Sequence, residues 1–118
     1  MQEHVEIRPK MAAMGGPGGC RLTQSMVAHL YGVSVEDLFA PTRRSVRVAF
    51  ARQVAMYLIH VVYRQSISDI AAAFGRDRST ASYACHRIED LREDPLLDRQ
   101  LVMLERLLRG VSDLEGTP

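Results

Sequence analysis

The sequence comprises 118 residues, of which 47% are hydrophobic and 25% charged, a composition typical of one globular domain with a modest core. Its longest apolar run, Val54–Ile59, is too short to cross a bilayer, and the N-terminal MQEHVEIRPK lacks the apolar centre of a secretory signal. We therefore expect a cytoplasmic protein with no membrane contact. Cys20 and Cys85 lie far apart in the sequence, which argues against a disulfide and against a metal site.

The net charge of +1 conceals an uneven distribution of charge along the chain. Residues 1–40 carry a net charge of −1, residues 41–88 carry +6 and residues 89–118 carry −4. A basic central segment is typical of a protein that binds a polyanion such as nucleic acid. An ordinary solvated surface would show the same excess of arginine, so charge alone does not decide between the two.

The first helix is predicted after a glycine-rich segment. Residues 1–20 have no helical or strand periodicity and predict a flexible arm. Their glycines are not followed by the Lys-Ser/Thr pair of a phosphate-binding loop, so we expect no nucleotide site. Helical spacing then begins at Thr23, the expected N-cap, and stops at Gly32. The apolar side chains on one face of this helix are Met26, Val27 and Leu30.

Two further helices are predicted before the centre of the chain. Ser34 and Asp37 form a weak capping box at the start of a short helix that Pro41 ends. A basic loop, TRRSV, then leads into a long helix from about Val46 to Tyr63. The apolar residues that recur at helical spacing in the long helix are Phe50, Ala51, Val54, Ala55, Leu58, Val61 and Val62.

The second half of the chain predicts three helices. Ser66 and Asp69 form a capping box, Gly75 ends that short helix, and another helix restarts at Asp77 or Arg78. The apolar side chains of this pair are Ile67, Ile70, Ala71 and Phe74, then Ala81, Ala84, Cys85, Ile88 and Leu91. A final helix runs from about Pro95 to Leu108 and buries Leu97, Leu101, Leu104 and Leu108. No segment alternates as a strand does, so the prediction is one all-α domain over residues 21–110 and a tail over residues 111–118.

A short helix, a tight turn and a second helix that opens with polar residues predict a helix-turn-helix. In that motif the second helix enters the DNA major groove with its N-terminus first. An arginine there can donate twice to a guanine edge, a carboxylate can accept from cytosine, and hydroxyls can reach phosphates. A plain corner between two helices, capped by Asp77, would show the same local pattern.

The stretch FGRDRSTASYACHRIEDL resembles the signature of the C-terminal DNA-binding domain, domain IV, of the bacterial replication initiator DnaA, approximately F-G-G-R-D-H-[ST]-T-V-x-x-A-x-[RK]-x-I. VAHLYGVSVEDL, RRSVRVAFARQVAMYL and SISDIAAAFG resemble the preceding helices of that domain in the same order. The resemblance covers about residues 23–109 and implies a Trp-repressor-like helical bundle that binds double-stranded DNA. The large ATPase region of the initiator has no counterpart here, so we expect a stand-alone relative of this one domain.

The resemblance also implies which residues contact DNA. Arg44 in the basic loop would lie in the minor groove, where a narrow, electronegative groove attracts arginine. Arg43 beside it belongs to the same basic DNA-binding segment. The major groove would be read by Asp77, Arg78 and Ser79. Phosphates would be held around Arg52, Ser66, Ile67, Arg76 and Thr80.

Three departures from the family pattern bear on specificity. Arg78 stands where the family has histidine, Gly75 stands alone where the family has two glycines, and Ile67–Ser68 stand where the family has Leu-Pro. A shorter turn should rotate or shift the recognition helix. We therefore expect general DNA binding with less selective recognition of the family's DNA box.

These observations support two classes of function and disfavour a third. The first is a nucleoid-associated DNA-binding regulator of replication initiation or of transcription. The second is a regulator that contacts the initiator or its regulators, which the acidic final helix and the altered recognition residues would fit. An enzyme is disfavoured because the histidines are scattered and most carboxylates lie near the last helix, so we expect no catalytic, cofactor or metal site. The histidines are His4, His29, His60 and His86.

Overall fold

The computed structural model describes residues 16–40 and 45–116, with side chains over residues 21–40 and 45–114. This part of the chain contains helices and no strand, so the all-α prediction is confirmed. The helices are α1 (Gly16–Tyr31), α2 (Val35–Leu38), α3 (Val46–Tyr63), α4 (Ile67–Phe74), α5 (Arg78–Leu91) and α6 (Pro95–Gly116). None of the helices in these ranges has both the length and the apolar character needed to span a membrane.

Serine side chains begin three of these helices. The Oγ atoms of Ser34, Ser45 and Ser66 accept hydrogen bonds from the backbone N–H three residues later, at 3.1, 3.2 and 3.0 Å. Each bond satisfies an N–H group that the first helical turn leaves without a partner, which typically stabilises a helix by about 1 kcal/mol. The caps predicted at Ser34 and Ser66 are confirmed.

Helix α1 begins at Gly16, so the prediction that it starts at Thr23 is wrong. Thr23 is fully buried inside the helix, and Pro17 stands in the first turn, where its missing N–H costs nothing. The last part of the predicted arm is thus helical, whereas residues 1–15 lie outside the described residues. The predicted stop at Gly32 is confirmed: its φ is +68°, and the N–H of Val33 donates to the carbonyl of Ala28 at 3.0 Å.

Helix α6 continues to Gly116, beyond the end predicted at Leu108. The segment predicted as a tail is therefore helical over residues 111–116. A glycine inside a helix costs about 1 kcal/mol relative to alanine. Gly110 does not end this helix, because Leu108 on one side of it is fully buried and Val111 on the other is half-buried.

The core is built around α3, which α1 and α5 contact extensively and which α2, α4 and α6 contact over smaller areas. Several side chains of α3 have no exposed surface, and small residues on α5 allow that helix to approach closely. The central side chains are Ala51, Val54, Ala55, Leu58 and Ile59 of α3, Ala81, Ala84 and Ile88 of α5, and Leu101, Leu104 and Leu108 of α6. The predicted buried face of α6 is confirmed for these three leucines.

The C-terminal end of α5 is held by a network of hydrogen bonds around Arg92, which we call the closed end. Arg92 donates to Asp98 at 2.6 Å, to Glu105 at 2.6 Å and to the hydroxyl of Tyr57 at 2.9 Å. The Tyr57 hydroxyl donates in turn to Glu89 at 2.6 Å. Burial alone would lower the pKa of Arg92, but these hydrogen bonds raise it above its usual value. Burial and the bond to Glu89 raise the pKa of Tyr57 to about 12.

Candidate nucleic-acid interface

Gly75 makes the turn between α4 and α5. Its φ is +64°, a conformation that glycine adopts without strain. The N–H of Arg76 donates to the carbonyl of Ala71 at 2.9 Å and that of Gly75 to Ala72 at 3.2 Å, which is a Schellman motif. Phe74, only 2% exposed, packs beneath the turn. The predicted helix-turn-helix is present, and one glycine is sufficient to close it.

The N-cap and first turn of α5 present four consecutive exposed polar side chains, Asp77–Thr80, which we call the open end. Asp77 has the extended backbone of an N-cap, but its side chain accepts no capping hydrogen bond. Over the described residues, no hydrogen bond or ion pair holds the side chains of Arg78, Ser79 or Thr80. These groups are free to bind a ligand, and the N–H groups of a helix N-terminus favour an anion.

The start of α4 lies beside the open end. Ile67 lines a shallow depression together with Arg78, Ser79 and Ser82. Ser66, one residue earlier, is exposed, and its hydroxyl oxygen accepts from the N–H of Asp69 while its hydrogen remains available. The structure therefore brings the predicted contacts from α4 and from α5 onto one surface.

An open cleft of about 480 Å³, which we call the α3–α5 groove, continues from this surface. One wall carries Thr80, Tyr83 and Arg87 of α5, which follow one another at helical spacing. Arg87 donates to the Gln53 side chain at 2.9 Å and lies 5.7 Å from the ring centre of Phe50. The remaining lining residues are Val46, Ala49, Arg52 and Arg76.

Arg52, a predicted phosphate contact, has a structural role in the fold. Its side chain is only 6% exposed. Its Nε donates to the carbonyl of Leu38 at 2.8 Å and its Nη2 to that of Asp37 at 3.0 Å, at the C-terminal end of α2. The Asp37 carbonyl also accepts from the N–H of Ala40 at 3.2 Å, and the largely buried guanidinium adds donors where a short helix leaves carbonyls at its C-terminal end. This geometry makes Arg52 part of the packing of α2 on α3, and its phosphate contact stays a prediction.

Arg76 combines a structural contact with a place on the surface. Its guanidinium donates to the carbonyl of Phe74 at 3.0 Å and to that of Ala40 at 2.7 Å, which ties the turn to the end of α2. It remains half-exposed at the edge of the α3–α5 groove. The exposed part of the Arg76 guanidinium can therefore still contact a phosphate that binds in the groove.

The two arginines of the basic loop, Arg43 and Arg44, lie outside the described residues. The described chain resumes at Ser45, which caps α3, and the next residue, Val46, lines the α3–α5 groove. The minor-groove contact implied for Arg44 stays a prediction.

Reactive side chains near this surface do not form a metal cluster in the ranges that the structure describes. Cys85 is buried, and burial raises the pKa of its thiol to about 11, so the thiolate is scarce at neutral pH. His60 is half-buried, with Nδ1 at 2.8 Å from the carbonyl of Gln65.

A sequence model of the bacterial DnaA helix-turn-helix matches residues 21–88. The chain belongs to this family. It is 33% identical over 91 residues to the chromosomal replication initiator protein DnaA of Thermoanaerobacter sp. (strain X514), and equally to that of Thermoanaerobacter pseudethanolicus. Each match covers 76% of this chain and 20% of the relative, so the chain spans about a fifth of the length of these curated relatives.

Solved structures of replication initiation proteins share the fold. The replication initiator DnaA bound to AMPPCP and single-stranded DNA matches with a TM-score of 0.70 and 26% identity, over 94% of this chain and 31% of that one. A DNA replication initiation factor matches with a TM-score of 0.69 and 27% identity, over 92% of this chain and 37% of that one. The resemblance to the DnaA domain is confirmed.

Within the DnaA helix-turn-helix, the sequence analysis located the open end and missed the α3–α5 groove beside it. Tyr83, Arg87 and Gln53 were not predicted as site residues. A signal for two of them was present, because Thr80, Tyr83 and Arg87 share one face of α5 and Tyr83 is 60% exposed. Gln53 joins them only through the packing of α5 on α3.

Proposed function

We propose that the chain binds double-stranded DNA through the helix-turn-helix, with the first turn of α5 in the major groove. The observation that carries this proposal is the open end itself: four adjacent exposed polar residues at the N-terminus of a helix. Arg78 can donate twice to a guanine, and Asp77 can accept from cytosine. The hydroxyls of Ser79 and Thr80 suit either bases or phosphates.

The α3–α5 groove supplies the accompanying phosphate contacts in this proposal. Arg76 and Arg87 place two positive charges along one wall, with the hydroxyl groups of Thr80 and Tyr83 between them. Contacts of this kind fix the register of a protein on the duplex, whereas base contacts carry its specificity. The net charge of +6 over residues 41–88 adds the long-range attraction that phosphate binding needs.

We further propose that the chain regulates replication initiation by occupying DNA sites of the kind that the initiator recognises. Membership of the DnaA helix-turn-helix family supports this role. Two copies of the same motif in one cell, here and in the initiator, would compete for related sites. The role is one of binding rather than catalysis. Regulation of transcription from such sites requires the same DNA contacts and differs only in the position of the site.

Fluorescence anisotropy of a labelled duplex containing the initiator's box, titrated at several salt concentrations, tests DNA binding directly. We expect affinity to fall steeply with salt, because bound arginines release counterions. Arg87→Gln should lower the slope of log K against log salt by about 1. Arg109→Gln removes the same charge near the far end of α3, where Arg109 donates to the carbonyl of Val61, and should leave the slope unchanged.

A slope near zero for the unmodified protein would overturn the proposal. The second function, regulation through contact with the initiator or its regulators, would then account better for the chain. Equal slopes for Arg87→Gln, Arg109→Gln and the unmodified protein would instead exclude the α3–α5 groove from the DNA contact.

A further inference from the structure

Helix α6 carries two separate apolar stripes. One is buried against α1 and α3. The other, which we call the exposed stripe, comprises Leu96, Met103, Leu107 and Leu114, which are 70%, 51%, 51% and 79% exposed. At 3.6 residues per turn these four side chains fall within about 40° of arc along one side of the helix. Single exposed apolar residues are ordinary, whereas several aligned along one side of a helix are typical of a surface that another molecule covers.

The exposed stripe is symmetric about its own midpoint. Leu96 and Met103 are seven residues apart, and so are Leu107 and Leu114. If a second α6 lies antiparallel with the midpoints aligned, Leu96 meets Leu114 of the partner subunit and Met103 meets Leu107 of the partner subunit. A surface that complements itself under a twofold rotation is the requirement for a closed homodimer, and seven-residue spacing is that of a coiled-coil seam.

Two further residues on this side of α6, Gln100 and Gly110, are compatible with the antiparallel pairing. Gln100 would face Gly110 of the partner subunit. The Gln100 side chain already accepts a hydrogen bond from the Tyr31 hydroxyl at 2.8 Å within its own protomer, so it is turned away from the seam. Gly110 has no side chain, and a Cβ built there meets no atom within 4 Å. The middle of the seam thus leaves room for close approach.

Charges beside the exposed stripe are complementary at its two ends. The antiparallel alignment places Arg99 beside Asp113 of the partner subunit, and the twofold axis repeats this pair. Asp113 keeps its contacts within its own chain, and a carboxylate can accept several hydrogen bonds. Arg106 lies near the axis and would face Arg106 of the partner subunit, a like-charge pair that opposes association.

We propose that a second copy of the chain covers the exposed stripe, through antiparallel pairing of α6 in a twofold-symmetric dimer. None of the four stripe residues lines the α3–α5 groove or the depression beside the open end. The dimer therefore leaves both DNA-facing surfaces uncovered. It does not depend on DNA binding.

Sedimentation equilibrium over a wide range of protein concentration tests the dimer. The mass of the unmodified protein should rise towards twice that of the monomer. Leu107→Glu should raise the dimer Kd at least tenfold, because it places a charge in the seam. The matched control is Val46→Glu on α3, which charges another exposed apolar residue, 75% exposed, and should not change the Kd. Circular dichroism melts establish that both variants are folded.

Charge variants test the orientation. Arg99→Asp should weaken the dimer, Arg99→Asp combined with Asp113→Arg should restore it, and Arg106→Ala should strengthen it. A protein that stays monomeric throughout, or equal effects of Leu107→Glu and Val46→Glu, would overturn the dimer. Failure of the double charge reversal to restore association would overturn the antiparallel alignment.

Discussion

The arginines at the two ends of α5 differ in exposure and in hydrogen bonding. Arg78 in the first turn is exposed and bonded to no other described side chain, whereas Arg92, directly after the last turn, is 17% exposed. Arg92 is bonded to two carboxylates and a hydroxyl. A guanidinium that stabilises the fold has its donors satisfied within the protein. A guanidinium that binds a ligand has donors that no group of the protein occupies. This difference distinguishes a binding surface from polar groups that stabilise the fold.

The comparison also explains why each end has its own kind of support. The open end is positioned by packing beneath it, through Phe74, whose ring lies 4.8 Å from that of Phe39 in a stacked geometry. The closed end is positioned by hydrogen bonds and charge. Different substitutions should therefore weaken the two ends separately.

Phe74→Ala should have the largest effect on stability. Phe74 is 2% exposed, and removal of a buried phenyl ring from a core costs roughly 3–5 kcal/mol. The free energy of unfolding from urea denaturation measures this loss. The control is Tyr83→Ala, which truncates an aromatic residue that is 60% exposed on α5 and should cost less than about 0.5 kcal/mol. Similar values for the two variants would show that Phe74 does not support the open end.

Arg92→Gln should cost less, about 2–3 kcal/mol. The substitution leaves Glu105, which is 12% exposed, with only the more distant Arg109 at 4.0 Å as an opposite charge, and it removes a donor to the Tyr57 hydroxyl. The control is Arg109→Gln, which removes a 52% exposed arginine that donates to the Val61 carbonyl and lies 4.0 Å from Glu105, and which should cost less because exposed ion pairs contribute little. DNA affinity of the folded Arg92→Gln protein should remain close to that of the unmodified chain. A large loss of affinity at full folding would mean that the two ends of α5 are coupled.

Local signals in the sequence predicted most of the fold. The caps at Ser34 and Ser66 and the turn at Gly75 depend on neighbouring residues only, and α3 has a long apolar periodicity. Thr23 was misread because a buried threonine inside a helix looks like a cap when its burial is unknown. The α5–α6 connection was also beyond local signals, since Arg92 and Glu105 are brought together by tertiary packing.

The candidate site likewise contains residues that local sequence pattern predicts and residues that only tertiary packing brings together. The open end is four adjacent residues after a glycine, so sequence pattern and family resemblance both located it. The sequence predicts a phosphate contact for Arg52 but not its bonds to Asp37 and Leu38, which lie on α2 and meet it only when α2 packs on α3. Gln53 and Arg87 likewise come from different helices. Spacing along one chain segment contains no information on such contacts.

Arg78→Ala tests the open end, and we expect its effect on DNA binding to be smaller than the stability effects above. A bidentate contact from Arg78 to guanine is worth about 1–3 kcal/mol of discrimination, whereas a phosphate contact carries none. Competition between box and scrambled duplexes should show weaker binding of Arg78→Ala to both. We also expect the unmodified protein to prefer the box by less than the roughly 10³-fold typical of a specific binder.

Arg78→His completes that comparison, because histidine stands at this position in the family. Its selectivity should exceed that of the unmodified chain if Arg78 is what relaxes recognition. If the unmodified chain already prefers the box by 10³-fold, in the range of specific binders, relaxed specificity is wrong. If Arg78→Ala binds every duplex as well as the unmodified chain does, Arg78 does not face DNA.

The smallest effect should come from Asp77→Asn, compared with Ser66→Ala. Both residues are N-caps, but only the Ser66 side chain accepts a hydrogen bond, at 3.0 Å from the N–H of Asp69. Ser66→Ala should therefore cost about 1 kcal/mol. Asp77→Asn loses only the attraction of an exposed charge to the helix dipole, about 0.5 kcal/mol or less, and this difference should shrink in high salt. Urea denaturation at two salt concentrations measures both variants. An equal loss for the two would mean that Asp77 caps α5 in solution, and the first turn of α5 would then be satisfied within the protein as its last turn is.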